Sequence, residues 1–251
     1  MNTKITALAI TYNESAHIEK YIEQLAFADE IIIVDSFSTD NTVELAKKYD
    51  ITLIQREFDN FSSQKNFAID QATHDWIVFF DLDEEIPKVL IDEIIATVNS
   101  ENPKKAYHVK RDFHFMGKRM KYSGFQTDIS VRLFHKKYCR YNGKPVHETI
   151  ETTEKIGTLQ HALAHQTYKD FDNYNQKLSH YSRLQAEALY KKNVRPNAYH
   201  FIFRPLYRFL HQYFLRLGIL DGKEGFILCY VHAFSVFKRY LQLWTMYRKI
   251  E

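Results

Sequence analysis

Four short apolar runs, each followed by a stretch of helical spacing, occupy the first hundred residues. The runs are Ile5–Ile10, Glu30–Asp35, Ile51–Ile54 and Asp75–Phe80; the helical stretches are Ser15–Ala28, Thr39–Tyr49, Ser62–Ala72 and Pro87–Val98. Nearly continuous Ile, Val and Phe in the strands, with helices between them, predicts an α/β fold: a mostly parallel sheet sandwiched by helices. Only a sheet covered on both faces buries strands of that kind. Ligands bind such sheets beyond the carboxyl ends of the strands, so the residues following each run are the ones to test for function.

The same stretch contains no glycine. All 7 glycines of the 251-residue chain lie at or after Gly117. A P-loop and a dinucleotide G-x-G-x-x-G both need glycines in an early strand-to-helix turn, so a nucleotide bound here is held without a glycine cradle. Hydrophobic residues at 45% and charged residues at 26% exclude a disordered chain. A net charge of +3 is too small to argue for nucleic acid. Cys139 and Cys229 match no zinc spacing and read as free thiols of a reducing cytosol. No window reaches the roughly 18 apolar residues of a membrane span, and Met1–Lys4 runs straight into the first strand. A cytoplasmic chain without a secretory leader is expected.

After Asn99 the pattern changes. Lys105–Phe115 and Ser130–Lys136 read as longer, more polar strands that extend the sheet in a mixed sense, and Tyr141–Leu159 reads as loop. Helical spacing returns over Tyr174–Lys192, Phe201–Leu217 and Gly225–Ile250. The predicted organisation is an α/β domain over residues 1–170 and a helical C-terminal extension over residues 171–251.

The strand ends carry acids and small polar groups. The first run ends in Thr11-Tyr12-Asn13-Glu14, the second in Asp35-Ser36-Phe37-Ser38-Thr39-Asp40, and the fourth in Asp81-Leu82-Asp83-Glu84-Glu85. Two carboxylates at i and i+2 repel unless a cation joins them, and oxygen donors suit Mg²⁺ or Mn²⁺. The plainer alternative is a solvated acidic loop capping the helix at Pro87. Asp40 is expected to act mainly as a helix cap. Asp35 is expected to act mainly as a ligand for a base or a ribose hydroxyl. Lys65, in Gln64-Lys65-Asn66, can supply positive charge to a diphosphate, or it is an ordinary surface lysine.

Taken together, Thr11-Tyr12-Asn13-Glu14, Ile33-Val34-Asp35-Ser36-x-Ser38-Thr39-Asp40-x-Thr42, Gln64-Lys65-Asn66 and Asp81-Leu82-Asp83-Glu84 resemble the family 2 glycosyltransferases of GT-A fold. Arg132-Leu133-Phe134, Val146-His147-Glu148 and Leu220-Asp221-Gly222-x-x-Gly225 narrow the likeness to the subfamily of bacterial lipopolysaccharide-core β-glucosyltransferases. The resemblance implies a nucleotide-sugar donor, a divalent metal, inversion at the anomeric carbon, and a glycan or lipid-linked acceptor of the cell envelope. It implies that Thr11, Tyr12, Asn13, Glu14, Asp35 and Ser38 hold the nucleoside and that Lys65 and Asn66 lie near the phosphates. It assigns Asp81 to ribose and metal, and Asp83 to metal. Where the family commonly has a further acid after Asp35, this chain has Ser36. A late histidine, His165, is a candidate third metal ligand.

Inversion needs one base near the acceptor hydroxyl. Glu148 is the first candidate and Asp128 the second. A metal-dependent nucleotidyltransferase is the nearest rival, but it would carry a glycine-rich signature near the start of the chain. A non-catalytic RNA-binding module would leave the acidic strand ends unexplained, and no nucleic-acid partner is expected. From His200 onward eight Lys/Arg face three acids among many aromatics. This composition suits peripheral contact with an anionic membrane, or a helical cap whose charges are merely solvated.

Overall fold

The computed structural model describes residues 3–125, 128–144, 148–165 and 171–250. Its elements run β1 (Ile5–Thr11), α1 (Ile18–Gln24), β2 (Glu30–Asp35), α2 (Thr42–Ala46), β3 (Thr52–Gln55), α3 (Phe61–Gln71), β4 (Trp76–Phe79), α4 (Lys88–Val98), β5 (Ala106–Phe115), β6 (Lys118–Arg119), β7 (Ile129–His135), β8 (Arg140–Tyr141), β9 (Ile150–Glu151), β10 (Ile156–His165), α5 (Phe171–Lys191), α6 (Ala198–Leu210) and α7 (Gly222–Arg248).

The sheet order is β10-β5-β7-β4-β1-β2-β3, with β6 paired to β5. β1 runs parallel to β2 and β4, while β7 pairs antiparallel with β4 and β5. The sheet is therefore parallel over the first hundred residues and mixed beyond them, as the pattern predicted. β4 lies between β1 and β7, which puts the ends of β4, β1 and β2 next to one another.

Side chains alternate across the sheet. Ala7, Ala9, Ile33 and Val78 pack on one face against Ile18, Tyr21 and Ile22 of α1 and Leu90 and Ile94 of α4. Leu8, Ile32, Val34, Ile77 and Phe79 pack on the other against Ala68 and Ile69 of α3. Burial on both faces is what makes these strands uniformly apolar.

α1 and α2 are shorter than their spacing predicted. The residues before each form connecting loops, because their polar side chains bond across from one loop to the other rather than capping an extra helical turn. β10 begins inside the stretch read as loop. Gly157 masked it: a Cβ there would lie 2.5 Å from the Tyr107 ring, so the strand tolerates no side chain where the alternation calls for one.

Contacts divide the chain into two compact units, residues 1–111 with 129–165, and residues 112–128 with 166–251. Within the second unit, Phe113 stacks on Phe125 at 3.9 Å and Phe115 meets Tyr174 edge-on. The Asp221 carboxylate accepts from the backbone N–H groups of Lys121 and Tyr122, at 3.0 Å each, and from the Ser123 hydroxyl. Lys118 donates to the Asp221 carbonyl and to Glu224. The Leu220-Asp221-Gly222-x-x-Gly225 motif thus anchors the segment 118–123 to the start of α7. Gly225 is required there, since a Cβ would fall 2.1 Å from the Gly218 carbonyl oxygen.

Candidate active site

The β1–α1 and β2–α2 loops are joined by hydrogen bonds. Asn13, at φ +56, receives the Thr39 N–H on Oδ1 at 2.8 Å and donates its own N–H to Ser38 Oγ at 2.9 Å. Glu14 N–H donates to Thr42 Oγ1. Asp40 accepts from the N–H and hydroxyl of Thr42 and from Ser15 N–H. The Thr42 hydroxyl, foremost among these donors, draws its carboxyl down to about 2. The N-cap of α2 is Asn41, so Asp40 is not the cap expected of it; one residue earlier, its carboxylate holds Thr42 and ties the two loops together.

Asp35 is fully buried at the end of β2. Its oxygens accept from the N–H and hydroxyl of Ser38 and from Gln55 Nε2 at 3.1 Å. Ser38 is thus held between Asp35 and Asn13. Thr11 keeps its hydroxyl buried and unbonded among the described residues. Tyr12 and Phe37, on the two joined loops, expose their rings.

α3 starts at Asn60, whose Oδ1 accepts Ser63 N–H. One turn on, the helix turns Lys65 inward, leaving that residue 7% exposed. Its Nζ donates to Glu148 Oε1 at 2.6 Å, lies 4.0 Å from Asp81 Oδ1, and faces the rings of Tyr141 at 5.2 Å and Phe79 at 5.6 Å. Lys65 is therefore a buried cation with two carboxylates, not a surface lysine. The neighbouring Asn66 spends its amide on the backbone of Tyr141, donating to the carbonyl at 3.0 Å and accepting the N–H at 2.9 Å.

At the end of β4 the chain turns. Asp81 N–H donates to Glu84 Oε2, and Glu84 N–H returns to the Asp81 carbonyl. Tyr21 of α1 supports this turn by donating to the Phe80 carbonyl. Arg132 reaches across from β7, with Nη2 at 2.5 Å from both Asp81 Oδ2 and Glu84 Oε1. Arg111 lies 3.8 Å from the same Glu84 oxygen. Burial disfavours the charged form of Asp81, but Arg132 and then Lys65 outweigh it and hold its carboxyl below the usual range. Glu84, with no side-chain exposure, is pushed up by burial and by the charge of Asp81 against the pull of Arg132. One guanidinium thus serves two carboxylates, drawing the more exposed one down while burial pushes the other up.

Glu84 and Arg132 were not singled out for a role by their residue types. Arg132 had a readable signal: a lone cation inside the apolar strand Ile129–His135, where burial demands an anionic partner.

Asp83 is partly exposed and makes no hydrogen bond or ion pair among the described residues. No group of three His, Cys, Asp or Glu side chains converges among the described residues. The donors nevertheless fit Mg²⁺ or Mn²⁺. Such ions are commonly held by one or two carboxylates together with substrate phosphates and waters, and Asp83 and Asp81 supply two. His165 ends β10, and its side chain lies outside the described ones; His147 lies outside the described residues. Asp128 belongs to the second unit, where its N–H donates to the Phe125 carbonyl. Glu148, Lys65, Asp81 and Arg132 all belong to the first.

An α/β sheet with this loop and carboxylate arrangement at its strand ends defines a GT-A-like fold. The family model for glycosyl transferase family 2 matches residues 6–144, more than half of the chain, and the chain belongs to that family. It is 27% identical to the lipopolysaccharide core biosynthesis glycosyltransferase LpsC of Rhizobium meliloti, covering 94% of this chain and 93% of that one. It is 29% identical to an uncharacterized glycosyltransferase of Rickettsia bellii, covering 97% of this chain and 87% of the relative. Among solved structures, S. aureus TarS 1–349 aligns over 99% of this chain and 92% of its own with a TM-score of 0.50 at 16% identity, a likeness of fold alone.

Proposed function

We propose that this glycosyltransferase moves a sugar from a nucleotide-sugar donor, with inversion at the anomeric carbon, to a glycan or lipid-linked acceptor in cell-envelope polysaccharide or lipopolysaccharide synthesis. Mg²⁺ or Mn²⁺ is its cofactor. The observation that carries this reading is the cluster just beyond β4: Lys65 of α3, buried between Glu148 and Asp81, with Asp83, unpartnered among the described residues, two residues further on. The R. meliloti relative's role in lipopolysaccharide core synthesis supports the acceptor class.

The loops at Thr11–Glu14 and Asp35–Ser38 receive the nucleoside. Asp35 and Asn13 hold Ser38 in place, and the exposed rings of Tyr12 and Phe37 offer stacking faces for a base. Lys65 supplies a fixed positive charge where the departing diphosphate gains negative charge; such preorganised charge lowers the barrier most in a site with little water. Asp83 and Asp81 would hold the divalent ion, which supplies further charge neutralisation for the leaving group. Arg132 fixes the Asp81 carboxylate.

Glu148 takes the proton from the acceptor hydroxyl as that oxygen attacks the anomeric carbon and the bond from carbon to phosphate oxygen breaks. In the free protein Lys65 holds Glu148 in place. Asn66 braces Tyr141, whose ring faces Lys65.

The test is titration of UDP with and without Mn²⁺ on wild type and Asp83→Ala, alongside a thermal-shift panel of nucleotide sugars with Mn²⁺. Ligands that bind the folded state raise its melting temperature by mass action. Wild type should bind more tightly with Mn²⁺, and the variant should lose that gain while staying folded. Undiminished metal enhancement in Asp83→Ala would overturn the metal assignment. A flat nucleotide-sugar panel would overturn the donor class.

A further inference from the structure

The 13-residue helix α6 buries none of its residues, although its sequence is rich in large apolar side chains. Tyr199, Ile202, Phe203, Leu206, Tyr207 and Leu210 recur at the three- and four-residue spacing of a single helical face. All six are exposed, from 43% at Leu210 to 64% at Tyr207. The opposite side of the helix meets α7 through Phe201 on Phe237 and Phe209 on Phe226 and Tyr230. An apolar groove of about 520 Å³ runs along this seam, lined by Pro205, Phe209, Phe226, Tyr230, Phe234 and Phe237 among others. Soluble monomers rarely leave a continuous apolar face of this kind uncovered.

Charge identifies what covers it. From Ala188 to Leu220 the chain carries Lys191, Lys192, Arg195, Arg204, Arg208 and Arg216 and not one Asp or Glu. Arg204 sits on the flank of α6, its guanidinium 5.9 Å from the Tyr199 ring of the apolar stripe, and is exposed. Not every basic residue of the tail takes part. Lys238 points inward, donating to Asn175 Oδ1 at 2.7 Å and Ser179 Oγ at 2.6 Å on α5. Arg208 lies on the other side of α6, near His232, and Arg239 is partly buried.

A second copy of the chain is a poor occupant. A two-fold contact sets the same surface against itself, which here brings one unrelieved basic flank onto another. An acidic surface with an apolar layer beneath it satisfies both halves of the pattern. No described helix is long and apolar enough to cross a membrane, so α6 lies along the surface rather than through it.

We infer that α6 is an interfacial helix that docks this protein on an anionic phospholipid bilayer. Its aromatic stripe enters the boundary between headgroups and acyl chains, while Arg204 and Arg216 reach anionic headgroups along their apolar stems. Binding at such a surface does not require the donor site. It would bring a glycosyltransferase to acceptors held in that membrane.

The experiment is co-sedimentation of the full chain with phosphatidylglycerol vesicles and with phosphatidylcholine vesicles, at low and high salt, without donor or acceptor. Each basic residue near an anionic surface changes affinity about five-fold. The variant with Arg204 and Arg216 both replaced by glutamine should therefore bind phosphatidylglycerol about 25-fold more weakly. Ile202→Ser/Phe203→Ser/Tyr207→Ser should also release the protein from vesicles. These side chains are exposed, and unchanged melting curves would confirm that both variants fold; the salt dependence of wild type tests the charge term without any substitution.

Wild type remaining in the supernatant at low salt, or binding neutral and anionic vesicles equally, would overturn the proposal. So would a serine variant that turns a dimer into a monomer in sedimentation velocity while vesicle binding is unchanged; that result would make α6 an interface between copies. None of these outcomes depends on nucleotide-sugar binding, so failure here is distinguishable from failure of the glycosyl-transfer reading.

Discussion

Arg132→Met removes the guanidinium that lies 2.5 Å from both Asp81 Oδ2 and Glu84 Oε1 while keeping most of the apolar stem. The remaining cations are farther away, Arg111 at 3.8 Å from Glu84 and Lys65 at 4.0 Å from Asp81. Removing the partner of a fully buried charge typically costs about 3–5 kcal/mol; the Asp81 side chain is 38% exposed and screened by solvent, so the loss expected here is about 1–3 kcal/mol. That is a large share of a total stability of about 5–15 kcal/mol.

The cost should depend on pH. Without Arg132 the folded-state pKa of Asp81 rises above its unfolded value, and that of Glu84, already raised, climbs further. Stability is then greatest below the unfolded pKa and falls as pH rises through the folded one. The deficit against wild type should be smaller at about pH 5 than at about pH 8.

The chain has two tryptophans. In a Trp244→Phe background, Trp76 on β4 reports the sheet unit alone during urea unfolding. Adding Glu84→Gln should recover part of the loss, with an interaction energy of about 0.5–3 kcal/mol in the double-mutant cycle. A deficit under about 1 kcal/mol that does not change with pH would refute the claim that Arg132 neutralises this pair.

Three further outcomes are expected. Glu148→Gln should leave donor binding near normal and lower turnover by roughly 10²–10⁴-fold, as loss of a general base does; if Asp128→Asn gives that pattern instead, the base is Asp128. His232 lies between Tyr174 OH at 2.5 Å and Gln212 Oε1 at 3.1 Å, and burial, aided by Arg208, lowers its pKa to about 4. Its contribution is therefore fully present above about pH 6.5 and should be lost as pH falls from there toward about 4. The loss is at most about 3 kcal/mol, and His232→Gln should abolish that slope in thermal melts of the second unit. Gly225→Ala would gain about 1 kcal/mol in an open helix. Here the added carbon meets the Gly218 carbonyl at 2.1 Å, so denaturation should show a loss of about 1–3 kcal/mol, and a stabilised variant would contradict the packing.

Much of the sheet unit was readable in the sequence because its signals are local. Apolar runs at Ile5–Ile10 and Glu30–Asp35 could only be strands covered on both faces, and the acids after them could only fall at the carboxyl edge. The absence of early glycine already excluded the common phosphate loops. The likeness of Thr11–Glu14, Asp35–Asp40 and Asp81–Glu84 to a known family could be seen before any coordinate.

What the tertiary structure decided was the pairing of charges across long sequence separations. Lys65 and Glu148 are 83 residues apart, and Arg132 and Asp81 are 51 apart. Nothing in either neighbourhood says which carboxylate a buried cation will meet. The extent of β10 was hidden by Gly157, whose lack of a side chain serves the Tyr107 ring rather than the strand pattern. The tail shows the same division. Its composition is basic and aromatic throughout, but only packing decided that Lys238 turns toward Asn175 while Tyr207 turns outward, because α7 gives one face to α5 and, among the described residues, nothing covers the outer face of α6.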